Sequence, residues 1–170
     1  MFHPTRVVTR LVTLRLGPAP GPRAPRPGEP RKEPVMFSHV TVGCTDLPRA
    51  AAFYDALLAP LGLERRPVTP DGGPEAACWV APGQALPRFY VYIPLDGEPA
   101  GAGNGSMVAF RAASAVAVNA AHEAALRHGG RDEGAPGPRP RYGHGYYGAY
   151  LRDPDGNKIH VAYRGDIRAD

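Results

Sequence analysis

From residue 36 onward the chain alternates between apolar and polar positions. In MFSHVTVG, Val40 and Val42 fall on one face of an extended segment, with Phe37, His39 and Thr41 on the other. Asp46 then stands where a helix N-cap belongs and Pro48 is tolerated in the first turn. Ala50, Phe53, Tyr54, Leu57, Leu58 and Leu61 recur at helical spacing until Gly62 ends the helix. Three extended segments follow, 63–69, 75–81 and 87–93, separated by the turn clusters DGGP and APGQ. In the third, Phe89, Val91 and Ile93 oppose Arg88, Tyr90 and Tyr92.

A loose connector, 94–105, leads to a second round of the same pattern. Residues 106–112 read as a strand with Val108 and Phe110 against Met107, Ala109 and Arg111. Ser114 is a candidate N-cap, AVAVNAAHEAALRH a helix with a small-residue packing side, and Gly129-Gly130 its stop. A short strand near Arg131 and a Gly/Pro-rich loop, 134–145, precede a hairpin. Its two strands, ending YLRD and reading NKIHVAY, are joined at Pro154-Asp155-Gly156, and Asp-Gly between alternating runs is a strong hairpin signal. In the last strand Ile159, Val161 and Tyr163 share one face and Lys158, His160 and Ala162 the other. If Leu151 faces a helix, Tyr150 and Arg152 share the face of His160. One βαβββ unit therefore occurs twice, as module one (36–93) and module two (106–165), in a single α+β domain.

Composition changes this picture at the N-terminus. Residues 1–35 hold seven of the Arg and Lys residues against two acids, so the extension carries +5 of a chain whose net charge is +4. The folded part gives no electrostatic reason to expect nucleic acid. The extension is Pro-rich and reads as a disordered basic segment, as sequence upstream of a start at Met36, or as a mitochondrial address. No run reaches the roughly 20 apolar residues that span a bilayer. Cys44 and Cys78 form no metal or redox spacing, and nothing reads as a secretory signal, so a soluble, cytoplasmic setting is expected.

The phrases D-L-P-R-A-A-A-F-Y (46–54) and D-P-D-G-N (153–157), set in a doubled βαβββ unit, resemble the vicinal oxygen chelate superfamily of glyoxalase I, fosfomycin and bleomycin resistance proteins and extradiol dioxygenases. The resemblance covers residues 36–164. It implies two modules curling into an open cup-shaped sheet with helices outside, a small-molecule ligand inside, and a homodimer. It places a divalent metal (Zn, Ni, Fe or Mn) on ligands from the first, fourth, fifth and last strands. By position these are His39, a residue near Tyr90 to Tyr92, Met107 and His160. Two departures follow: Met107 stands where histidine is expected, and His160 where glutamate is expected. A thioether is a soft ligand for those metals, and two imidazoles are one short of an ordinary catalytic set. His144, in the 134–145 loop, would complete a three-histidine set if that loop folds inward.

Two functions are therefore carried forward. The first is a glyoxalase-like lyase or isomerase, with metal on His39, His160 and His144, acting on a small oxygen-rich or carbonyl substrate. No carboxylate stands where a general base is wanted, so no catalytic residue is assigned. The second is a metal-independent binding or drug-sequestering protein of the bleomycin-resistance type. There Tyr90, Tyr92, Met107 and Tyr150 would give flat and adaptable contacts, with Arg88, Arg111 and Arg152 favouring an anionic group. His122 and His128, on the second helix, are expected to face solvent or to cap its end, and Trp79 and Phe89 to be core residues.

Overall fold

The computed structural model describes residues 36–165, so the N-terminal extension of the sequence reading lies outside the described residues. Strand, helix and three strands occur twice along the chain: β1 (His39–Gly43), α1 (Leu47–Leu58), β2 (Glu64–Arg66), β3 (Ala76–Val80) and β4 (Arg88–Tyr92), then β5 (Val108–Arg111), α2 (Ala115–Arg127), β6 (Arg131–Pro138), β7 (Tyr146–Arg152) and β8 (Lys158–Arg164). Each module forms a four-stranded mixed sheet, in the orders β1-β4-β3-β2 and β5-β8-β7-β6. The first and last strands of a module run parallel and the remaining pairs antiparallel. No strand pairing joins the two sheets among the described residues, and there is no closed barrel.

The helices form where the sequence supplies caps. Asp46 accepts a hydrogen bond from Arg49 N at 2.9 Å, and Ser114 Oγ accepts one from Ala117 N at 3.1 Å, satisfying N–H groups that the first turn leaves unpaired. α1 buries Phe53, Tyr54, Leu57 and Leu58 completely, each worth about 1.5–3 kcal/mol of transfer free energy. α2 packs through Val118, Ala121, Ala124 and Ala125, and these small side chains let α1 come close. Gly130 marks that approach: a Cβ there would lie 2.9 Å from the Phe53 ring and from Ala125 O.

The apolar faces of both sheets meet in a single core. Phe89 of β4 and Phe110 of β5 touch edge to face at 5.0 Å, within a cluster that includes Trp79, Val91, Leu151, Ile159 and Val161. Trp79 also donates to Asp55 Oδ1 at 3.0 Å. Since side chains alternate along a strand, the opposite face of each sheet looks away from this core. His39, Tyr90 and Tyr92 lie on the outer face of sheet one; His160, Tyr146 and Tyr150 lie on that of sheet two.

Three local expectations change. The segment 63–69 pairs only over Glu64–Arg66, because Pro67 cannot donate to a ladder. The short strand near Arg131 runs eight residues into the Gly/Pro-rich segment, with register shifts between Asp132 and Gly134 and between Gly134 and Gly137. β6 is an edge strand, and such a strand tolerates Pro136 and Pro138 where it bulges away from its neighbour. His122 does not face solvent: it is buried and donates from Nε2 to Asp132 Oδ1 at 2.8 Å, holding that carboxyl below its usual range. His128 does cap α2, donating from Nδ1 to Ala124 O at 2.8 Å.

Candidate functional site

The two sequence phrases meet in space. The β7–β8 turn carrying D-P-D-G-N docks on the β1–α1 junction of module one. Asp153, 4% exposed, accepts from the Tyr54 hydroxyl at 2.8 Å, from Asn157 Nδ2 at 2.8 Å, and from the backbone N–H groups of Asp155 and Asn157. Asn157 also donates to Gly43 O, and Asp155 accepts from Thr45 N and from Arg49. Burial pushes the Asp153 carboxyl above its usual value, against the pull of these donors. Burial and the neighbouring aspartates, led by Asp155, raise the Cys44 thiol to about 11, so it is an inert packing group. The phrases form a lock between modules, and the chemistry lies elsewhere.

The outer face of sheet two holds the more unusual constellation. Tyr146 and Tyr150 stand four residues apart on one face of β7, with Gly148 midway between them. The His160 imidazole from β8 lies over Gly148, stacked on Tyr150 at 4.2 Å and on Tyr146 at 5.9 Å, with interplanar angles of 17° and 20°. Gly148 makes this possible, because a Cβ there would sit 2.6 Å from His160 Nε2. The connection from β6 to β7 contributes a further layer: the Tyr142 ring meets Tyr146 at 5.3 Å, and Arg139 lies 5.8 Å over the Tyr150 ring. Burial holds Tyr150 above its ordinary value, and its hydrogen bond to Tyr142 holds Tyr142 below. His160 is left 3% exposed, and its Nε2 has no hydrogen-bond partner. Burial first, and then the Arg139 charge, push this imidazole below its usual value, so it is neutral near pH 7.

Beside this stack, a cavity of about 320 Å³ is lined by Ala109, Phe110, Arg111, Tyr146, Ala162 and Arg164. At the far end of the same sheet Glu133 gathers Arg152, Lys158 and Arg131, and the first two keep its carboxyl below the usual range. Arg152 therefore belongs to a structural ion cluster, and it also donates to Gly156 O.

The outer face of sheet one is more open. His39 is exposed, hydrogen-bonded through Nδ1 to Ser38 Oγ and set edge-on to Tyr90 at 5.9 Å. Tyr90 and Tyr92 contact each other at 5.5 Å, and Arg88 donates to the Tyr90 hydroxyl. Met107 is 45% exposed just before β5, and His144 is exposed in the turn before β7. The structure thus brings Tyr150 to His160, and Tyr90 to His39 with Tyr92 behind it, as two separate groups. Among the described residues no three His, Cys, Asp or Glu side chains gather to hold a metal ion. The donors His39, His144 and His160 do not fit a divalent ion within one chain. Tyr146, Gly148 and Arg164 are the site residues that sequence reasoning misses; the Tyr-Tyr-Gly-Ala-Tyr spacing of β7 is the signal that would have pointed to them.

With this geometry the chain falls in a class of paired βαβββ modules, and the comparisons give the class its name. Residues 36–161 match the model of the Glyoxalase/Bleomycin resistance protein/Dioxygenase superfamily, and the chain belongs to that family. A glyoxalase/bleomycin resistance protein from Albidiferax ferrireducens is 40% identical over 76% of this chain and 99% of its own, with a TM-score of 0.65. A glyoxalase-related enzyme from Fulvimarina pelagi is 22% identical, covering 79% of this chain and 94% of its own at a TM-score of 0.58. Lactoylglutathione lyase from Agrobacterium tumefaciens is 21% identical, covering 78% and 96% at 0.53, a likeness of fold. No functionally curated protein matches the chain.

Proposed function

We propose that this protein is a metal-independent small-molecule-binding member of the superfamily, of the bleomycin-resistance type, and that flat ligands are held on the outer face of sheet two. The observation that carries this reading is the Tyr146–His160–Tyr150 stack over Gly148, an aromatic platform with cationic neighbours. Aromatic platforms give large contact area at low conformational cost. Tyr90 and Tyr92 would extend such contacts on the other module, and Met107 on the same one as the stack. A homodimer is part of the reading, because β1 and β5 each leave one edge unpaired and could meet a second copy. The two free, buried cysteines favour the cytoplasm, and no described helix is long and apolar enough to cross a membrane.

One observation favours a second reading, a metal-dependent lyase or isomerase of the glyoxalase I type. His160 Nε2 is buried, neutral and unpartnered, the state in which an imidazole ligates a metal. It would need donors from a second copy of the chain. Metal analysis of the purified protein, paired with calorimetric titration of naphthol, separates the two. The expected result is substoichiometric metal, with saturable naphthol binding that weakens at least tenfold in Tyr150→Ala. Stoichiometric nickel, zinc, iron or manganese, lost in His160→Ala, would overturn the binding reading in favour of the enzyme.

A further inference from the structure

The cavity beside the ring stack has a built asymmetry. Its floor is made of small side chains, Ala109 of β5 and Ala162 of β8, and its walls are Tyr146, Arg111 and Arg164. Strand register brings them together: Arg111 pairs with Ala162, and Tyr146 with Arg164. Arg164 lies over the Tyr146 ring at 5.3 Å, which fixes its guanidinium at the rim. Arg111 is exposed and has no hydrogen bond or ion pair among the described residues. The carboxylate recorded against this face, Glu133, is at the opposite end of β8 beside Lys158. The distance from Lys158 to Ala162, the partner of Arg111, is about 13 Å at the usual rise, more than the roughly 8 Å over which salt screens exposed charges. The positive field at Arg111 is therefore not cancelled by that acid.

Resting on the small-molecule reading above, we infer that this cavity is an anion subsite that takes the carboxylate of a small, flat monoacid. Arg111 pairs with the carboxylate in the planar, two-pronged geometry a guanidinium offers. Tyr146 borders the body of the ligand, and Ala109 and Ala162 leave room for it. At about 320 Å³ the space is at the lower end of ligand pockets, which suits a single ring rather than a polycyclic drug.

The test is a titration of the full chain with benzoate, and with benzyl alcohol as a neutral analogue of similar shape, followed by amide NMR. Benzoate is expected to saturate with a Kd of about 1 mM or tighter, shifting the amides of Ala109, Arg111, Tyr146 and Ala162. Benzyl alcohol should bind at least tenfold more weakly. Arg111→Gln, at an exposed position, should lose at least tenfold in benzoate affinity with an unchanged thermal midpoint, and Ala162→Phe should abolish binding by filling the floor. Equal affinity for the two probes, or an Arg111→Gln variant that binds benzoate like the parent, would overturn the anion subsite while leaving a neutral-ligand site standing. Failure of both probes, together with failure of naphthol, would sink the small-molecule reading itself.

Discussion

The two modules share one topology and divide their outer faces differently. In sheet one the third strand presents Ala76, Cys78 and Val80 outward and the fourth presents Arg88, Tyr90 and Tyr92, so aromatic bulk sits on the strand next to β1. Sheet two reverses this, with Tyr146 and Tyr150 on the third strand and His160 and Ala162 on the fourth. The reversal has a consequence for histidine. His39, on the edge strand β1, stays exposed beside Tyr90, whereas His160, on an inner strand and lying over a glycine, is sealed between two rings. The inward faces stay alike because both must fill one core. The outward faces are free to diverge, and the one that traps an unpartnered imidazole is the better candidate for chemistry or recognition.

The sharpest way to break this pairing is at the lock that holds the modules together. Asp153→Ala removes one carboxylate that accepts four hydrogen bonds and leaves the buried Tyr54 hydroxyl and two half-buried backbone N–H groups unpaired. Each unsatisfied group costs about 1–3 kcal/mol, so a loss of roughly 3–5 kcal/mol is expected as a lower denaturant midpoint. Tyr54→Phe removes one partner only and should cost about 1 kcal/mol. An Asp153→Ala chain as stable as the parent would mean that the modules associate through the apolar core alone.

A smaller effect, confined to sheet two, is expected at Gly148. Alanine there would place its Cβ 2.6 Å from His160 Nε2 and 3.1 Å from Val161 O, and one of these must move. Overpacking of this kind costs about 1–3 kcal/mol. A double-mutant cycle identifies which neighbour gives way: in a His160→Ala background Gly148→Ala should cost distinctly less, a coupling of about 0.5–3 kcal/mol. If the cost is the same in both backgrounds, the clash is with the β8 backbone and the glycine serves the strand rather than the stack.

The scaffold of this comparison is legible in the sequence, and the site is legible only in part. Alternation assigns the faces of β1, β4, β5, β7 and β8, because burying one side of a strand writes a period of two directly into residue order. Asp46 and Ser114 announce the helices through local hydrogen bonding, which needs no tertiary partner. β6 is hidden by Gly134, Pro136, Gly137 and Pro138, residues that spell loop by local preference but are tolerated on a bulged edge. Long-range packing overrides that preference. The same limit hides Gly148 and the fate of His122. A glycine's value there comes from a ring 12 residues away across a hairpin, and the buried state of His122 comes from Asp132 beyond the helix end. His39 and His160 can each be picked out by alternation, but whether they share a basin depends on how two sheets are arranged, which no local pattern encodes.

The smallest effect expected is a pH dependence carried by His160. His160 has a folded pKa below that of a free imidazole, through burial and then the Arg139 charge, whereas the unfolded chain titrates near about 6.5. Between these values the unfolded state binds more protons than the folded one, so unfolding free energy falls as pH falls through this window. The stabilising contribution is complete above the unfolded value and is lost on acidification, with a slope no steeper than about 1.4 kcal/mol per pH unit for one proton. Tyr146, Tyr150 and Arg139 are the neighbours recorded around the ring, and none offers a negative charge in this range to stabilise an imidazolium. Chemical denaturation from pH 7.5 down to pH 5 should therefore show a slope in the parent that is reduced in His160→Phe. An undiminished slope in that variant would mean that the sealed ring carries none of the dependence.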